Sequence, residues 1–366
     1  MPRTVQFTAA RTVDVVDAEP LHPAPGQVRV ATLSSGISAG TEMTAYRGTN
    51  PYLTSTWDPG LRLFTVSHPE RPSYPLLGWG YSEVGRVVEV VPAATTAGTA
   101  SGTTGPGAPG DVRVGDLVWG IWGHRSEAVL PAADLRGHRL PDGLDPVAGC
   151  FVRVGAIALN AVLAADAGLG DTVAVVGQGV IGLLATRFAV LSGARVVAVE
   201  GVPARRERAL GCGAAHALEP GPATAAEVRE LTGGRGADVA IDLSGAYPAL
   251  HEATRLVGAD GRVVAAGFYQ GEAAGLRLGE EFHHNRVEVV ASQIGAVPSR
   301  KRARWDVARL QETVVGLIAA GRVDVAALVS HRFDVEDAAA AYDLLDTRAA
   351  QALQVVLDFP RAGEGS

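Results

Sequence analysis

Three glycines in VAVVGQGVIGLLA, residues 173–185, carry the sharpest chemical signal in the chain: Gly177, Gly179 and Gly182 have the spacing G-x-G-x-x-G. A short apolar run precedes them and a helical pattern follows, which is the context a dinucleotide site needs. Gly177 is expected to make the tight turn. Gly179 lets a pyrophosphate approach the backbone, and Gly182 lets helix and strand pack closely. Val180 and Ile181 open the helix, whose N-terminus faces the phosphates. The next strand ends in Glu200, 18 residues after Gly182, where an acid can bind ribose hydroxyls. That acid favours NAD, because a 2′-phosphate would be repelled. Arg205 and Arg206 follow closely and leave NADP possible, although they read equally well as solvated residues on a first helical turn.

The elements around this motif alternate. Helices are expected over 156–167, 180–192, 203–210 and 247–256, and strands over 171–176, 194–199, 237–243 and 261–266. Continuous apolar strands joined by helices describe a parallel sheet buried on both faces, here a doubly wound dinucleotide fold. Residues 1–90 differ: short strand-like runs such as QVRVATL (27–33) and SEVGRVVEVV (82–91), punctuated by Pro and Gly, read as an irregular β-rich domain. The segment 92–110, PAATTAGTASGTTGPGAPG, is low-complexity and is expected to be a flexible surface loop. A helix over about 303–320 and a last strand, LQVVLDF, read as a return to the first domain. The expected divisions are 1–153, 154–297 and 298–366.

Composition narrows the partners. The 366 residues are 47% apolar and 19% charged, which suits a filled core. A net charge of −7 argues against a nucleic-acid surface. Lys301 is the single lysine, so Schiff-base chemistry has almost no candidate. Two cysteines, Cys150 and Cys212, lie far apart, which suits a reducing cytoplasm and excludes a four-cysteine zinc lobe. The apolar stretch 173–199 is broken by glycines, Arg187 and Arg195, so no membrane span is expected there.

With a β-rich domain first, VGQGVIG in mid-chain and a closing IAAGRVDVAALVSHRFDVEDAAAAYDLL, the sequence resembles the medium-chain dehydrogenase/reductase superfamily, the zinc alcohol dehydrogenase fold. The resemblance covers nearly the whole chain. It implies a GroES-like catalytic domain followed by a Rossmann domain, and a small-molecule substrate. It also implies a homodimer paired through the Rossmann edge strand. The zinc pattern departs from the family. The cysteine expected after Gly-Ile is Ser38, the Gly-His-Glu step is replaced at Tyr81-Ser82, and the third position falls near Val152, two residues from Cys150. Ser, Tyr and Val do not make a zinc site. GISAGTE and GYSEVG, with GFYQG (267–271) and EEFHHNR (280–286), look like a zinc-lacking branch that includes bacteriochlorophyllide dehydrogenase.

The resemblance places Ser38, Thr41 and Tyr81 around the vacated metal position. Without zinc, hydrogen-bond donors and a proton relay must manage the alkoxide-like oxygen of hydride transfer. Tyr81 is the first candidate donor, supported by Ser38 and Thr41; the plain alternative is hydroxyls bonding backbone in a Gly-rich turn. Glu42 would orient them or relay a proton, or simply cap a following helix. His124 in WGHRSE is an acid–base candidate if it faces the cleft. His283 and His284 are expected near a dimer-related pocket, and Phe268 is expected to line the nicotinamide pocket. The leading expectation is a metal-independent NAD(P)-dependent oxidoreductase acting on a secondary alcohol or ketone of a bulky or cyclic molecule. An NADPH-dependent enone or quinone reductase and a non-catalytic nucleotide-binding redox sensor are the alternatives.

Overall fold

The computed structural model describes residues 1–65, 73–93 and 112–360. From residue 94 on, the expected loop 92–110 therefore lies outside the described residues. The chain divides into two compact units, 1–153 with 324–366, and 154–323. The return to the first unit thus begins at Asp324 rather than at 298. The reason is the helix Val307–Ala319, which starts later than expected because the Asp306 carboxylate caps it, accepting the Arg309 N–H at 2.8 Å. Its buried stripe, Leu310, Val314 and Ile318, stays with the second unit, and a Cβ on Gly155 would meet Val314 at 2.6 Å.

The first unit is built on a mixed sheet in the order Val329–Asp334, Gln354–Asp358, Gln27–Ile37, Glu83–Val90, Leu117–Gly120, with Glu127–Pro131 also paired to Gln27–Ile37. The central strand alternates buried and half-buried residues through Leu33, then is buried continuously from Ser34 to Ile37. That change marks where neighbours cover both faces. The last strand pairs antiparallel with this stretch, Val355 opposite Ile37 and Leu357 opposite Ser35. The helix Thr41–Arg47 follows and buries Glu42, Met43, Thr44, Ala45 and Tyr46. It meets the helix Ala338–Thr347 in a core where Phe7 lies edge-on to Tyr342 at 5.1 Å and Tyr46 stacks on Tyr342 at 5.4 Å.

The second unit is a six-stranded parallel sheet in the order His216–Leu218, Arg195–Val199, Thr172–Val176, Ala237–Asp242, Val257–Ala265, Glu288–Ala291. Counted along the chain this is 3-2-1-4-5-6, the doubly wound dinucleotide-binding order. Thr172–Val176 is buried at every residue, as expected of a strand with helices on both faces. The order reverses between Thr172–Val176 and Ala237–Asp242, so the ligand crevice of such a sheet opens at their carboxyl ends. Glu288–Ala291 is the edge strand, with Glu288, Val289 and Ala291 exposed.

The pairing of Gln27–Ile37 with Glu83–Val90 holds the first unit together and leaves no room at Gly85. A Cβ there would sit 2.5 Å from Val30 Cγ1 and 2.6 Å from the Ala31 carbonyl oxygen. Gly85→Ala is expected to cost about 2 kcal/mol or more of folding stability by forcing the strands apart, read as a lower urea midpoint.

Candidate active site

At the carboxyl edge of the parallel sheet, Gly177 turns the chain with φ +84°. Gly182 packs so closely that a Cβ would fall 1.9 Å from the Gly177 carbonyl oxygen, whereas a Cβ on Gly179 would meet nothing within 4 Å. The three glycines therefore divide their work as the spacing implies: turn, open approach and tight packing. Gly179 caps the helix Val180–Leu191 without a side-chain hydrogen bond, leaving the N–H groups near Val180 and Ile181 for a phosphate. The Glu200 carboxylate is held at the end of the second strand by the Gln178 N–H at 2.7 Å and the Val202 N–H at 2.9 Å. Arg205 stands on the first turn of the helix Pro203–Gly211. Arg206 donates to the Glu200 and Gly201 carbonyls at 2.7 and 3.0 Å.

Sequence reasoning missed the other wall of this edge. Asp242 ends its strand fully buried and accepts the Tyr269 hydroxyl at 2.6 Å and the Ser244 N–H at 2.9 Å. Burial raises the Asp242 pKa against those hydrogen bonds. Phe268, beside Tyr269, is 40% exposed on the loop after Val257–Ala265. His283 and His284 are also exposed in this unit, in contact with each other at 5.5 Å, and the His284 ring reaches the Glu280 carbonyl at 3.0 Å.

In the first unit the structure brings the Ser38 and Tyr81 hydroxyls together. They share a hydrogen bond at 2.5 Å, and Thr41 is near enough to favour ionisation of the Tyr81 phenol. Burial pushes the Tyr81 phenol up, the Ser38 hydrogen bond pulls it down, and the charge of Glu42 raises it further. Beneath lies a fully buried polar cluster. Glu42 accepts the Ser38 N–H at 3.0 Å through Oε1, and its Oε2 lies 2.7 Å from His124 Nε2 and 3.0 Å from the donating Tyr342 hydroxyl. His124 Nδ1 is 2.7 Å from the Ser35 hydroxyl. The Gln354 amide donates to the Ile37 carbonyl at 3.0 Å. The peptide between Ile37 and Ser38 is thus gripped at both its C=O and its N–H.

Two sequence expectations change here. Glu42 does not cap a helix; Gly40 stands at the cap with no side-chain bond. His124 does not face open space. It is 1% exposed, so its part is to hold Glu42 rather than to touch a substrate. Burial pulls the imidazole down, but the charge and hydrogen bond of Glu42 and the charge of Glu83 outweigh it and raise its pKa. Tyr342 and Gln354 were not anticipated, nor was Glu83. Glu83 is buried, accepts the Trp122 N–H at 2.9 Å through Oε2, and leaves Oε1 without a partner among the described residues. Burial lifts it to about 7.

At the positions where the resemblance would set a catalytic zinc stand Ser38, Tyr81 and Val152. Nearby Cys150 is fully buried with its thiol pushed up by burial. Two alcohol oxygens bonded to each other, a hydrocarbon and a protonated thiol do not fit zinc, which takes thiolate, imidazole or carboxylate ligands.

Residues 180–312 match the zinc-binding dehydrogenase family. D-guloside 3-dehydrogenase of Escherichia coli K12 is 28% identical over 329 residues, covering 88% of this chain and 89% of that one. Two solved structures share the fold: 2R,3R-butanediol dehydrogenase of Bacillus subtilis, with TM-score 0.75, 21% identity and coverage of 98% and 99%, and a Sinorhizobium meliloti putative zinc-binding dehydrogenase bound to NADP, with TM-score 0.73, 21% identity and the same coverage.

Two outcomes are expected. Gly182→Ala displaces the Gly177 turn and weakens NADH binding by about tenfold or more, read by fluorescence titration. The second concerns pH. Glu83 has a folded pKa above its ordinary value, so it favours the fold at low pH, and that contribution disappears as pH rises from 4.5 to about 7. His124 acts in the same sense, its contribution being lost above its ordinary pKa of 6.5 as pH passes its raised folded value. Glu83→Gln is therefore expected to flatten the decline in urea midpoint between pH 4.5 and 7.

Proposed function

We propose that this relative of the medium-chain zinc-binding dehydrogenases, an NAD(P)-dependent oxidoreductase of the alcohol and polyol dehydrogenase kind, transfers hydride without a catalytic metal. The substrate we propose is a secondary alcohol or ketone on a bulky or cyclic polyhydroxylated molecule. The observation that carries the metal-free part is the Ser38–Tyr81 hydroxyl pair at 2.5 Å, standing where the family's ligands would be. The named substrate of one relative, a D-guloside, supports the substrate class. Glu200 supports NAD as the preferred cofactor, while the NADP bound to the Sinorhizobium meliloti protein keeps the phosphorylated form in view.

When bound, the nicotinamide supplies or accepts the hydride. The chain's own residues do the rest. The turn at Gly177 and the open helix end after Gly179 would hold the pyrophosphate, and Glu200 would bind the ribose hydroxyls. Tyr81 gives its phenolic proton to the substrate oxygen in reduction and takes it back in oxidation, with Ser38 and Thr41 holding the phenol in place. Glu42 fixes Ser38, and His124, Tyr342 and Gln354 fix Glu42 and the peptide it grips. We further propose a cytoplasmic homodimer paired through the exposed strand Glu288–Ala291, an unpaired ladder that a second copy would complete.

The test combines metal analysis with a panel of polyols, sugars, ketones and enones under NADH and NADPH. Turnover of a polyol or hydroxyketone in metal-free protein is expected, with Tyr81→Phe lowering kcat by about 100-fold or more. Stoichiometric tightly bound zinc required for turnover would defeat the metal-free reading, and NADPH-driven enone reduction would replace it with a C=C reductase.

A further inference from the structure

One charge within electrostatic reach of the Tyr81 phenol has no assigned work. Arg153 lies on the first turn of the helix Val152–Ala165. The preceding turn, Pro146–Phe151, is seated on the strands that carry the site: a Cβ on Gly149 would meet Val84 at 2.7 Å, and one on Gly36 would meet Cys150 at 3.5 Å. The chain therefore reaches Arg153 directly from the neighbourhood of Gly36-Ile37-Ser38 and Ser82-Glu83-Val84. The guanidinium is half-buried, yet it makes no hydrogen bond or ion pair with any described residue. Half-buried arginines normally place donors on carboxylates or carbonyls, as Arg29 and Arg47 do elsewhere in this unit. Tyr81 is the group whose charge Arg153 feels, and Arg153 in turn eases ionisation of Tyr81.

We propose that Arg153 is a catalytic residue of this site, its guanidinium and the Tyr81 hydroxyl together holding the substrate oxygen that gains negative charge during hydride transfer. The proposal rests on the dehydrogenase reading above. In the reducing direction, hydride from the reduced nicotinamide adds to the carbonyl carbon and the C=O π pair moves onto oxygen. The Tyr81 O–H bond breaks, and its proton goes to that oxygen. The charge left on the phenolate faces Arg153 until Ser38 passes a proton back from solvent. Oxidation runs the same steps in reverse. A guanidinium suits the task because it stays charged at any working pH and carries its donors in a rigid plane. That plane also reaches two oxygens at once, which points to substrates with a hydroxyl on the carbon next to the reacting one, that is vicinal diols and α-hydroxyketones.

The test compares full-length wild type, Arg153→Gln and Arg153→Ala. Removal of one charge-stabilising donor group is expected to lower kcat by about 100-fold or more. NADH affinity and urea midpoint should stay close to wild type, which separates lost chemistry from lost folding. Added guanidinium ion at millimolar levels is expected to restore part of the Arg153→Ala rate. A readout independent of turnover is the phenol titration of Tyr81, taken as the ultraviolet difference between each background and its Tyr81→Phe partner. It is expected to move to higher pH in Arg153→Gln. A kcat within about threefold of wild type, or a Tyr81 titration that does not move, overturns the proposal. If wild type turns over nothing in the panel, the dehydrogenase reading fails by itself, and the Tyr81 titration still decides whether Arg153 acts on that phenol.

Discussion

The carboxylate of Glu42 is the constraint on which the first unit's functional end depends. It is a charged group buried without solvent, and it is tolerable there only because its two oxygens meet the Ser38 N–H, the His124 ring and the Tyr342 hydroxyl. Those three partners come from the loop before its own helix, from the loop after Leu117–Gly120 and from the helix Ala338–Thr347. Satisfying one charge therefore fixes three pieces of chain against each other. Ser38, gripped through its own N–H, becomes the rigid support for the Tyr81 phenol.

This arrangement explains how a fold related to zinc enzymes can be built around hydroxyls. A metal organises its ligands by coordination. Under the metal-free reading proposed above, the organising falls one layer deeper, to the buried hydrogen bonds around Glu42, and leaves the hydroxyls of Ser38 and Tyr81 to handle protons. The low dielectric around Glu42, His124 and Glu83 strengthens each of these bonds and makes an unmade one costly. The second unit follows a separate logic: its cofactor edge is made almost wholly of backbone, with Gly177, Gly179 and Gly182 keeping side chains out of the way.

The two units were unequally legible in the sequence. The dinucleotide edge could be read because its determinants are local: a strand, three glycines and an acid within a few dozen residues. The Ser38–Tyr81 pair could be read because both sit in short patterns shared with a known superfamily. Tyr342 and Gln354 could not, since a tyrosine in AAAAYDLL and a glutamine opening a strand look like ordinary core and edge residues until the chain returns. Arg153 gave no signal because its importance lies in having no partner, which only three dimensions reveal. His124 was misjudged in aspect: its type suggested acid–base work, while its total burial makes it a prop. The second domain boundary was placed early because a long amphipathic helix fits either unit, and its packing under Gly155 decides which.

The grip on the peptide between Ile37 and Ser38 has a consequence in time. Its own residues emerge about 300 residues before Tyr342 and Gln354 during synthesis. Until they arrive, Glu42 lacks a donor and the strand Gln27–Ile37 lacks its neighbour on one side. The parallel sheet, contiguous in residues 154–323, can close before then. A growing chain would thus complete its cofactor edge before the support of its hydroxyl pair, so that nucleotide binding could precede assembly of the Ser38–Tyr81 site.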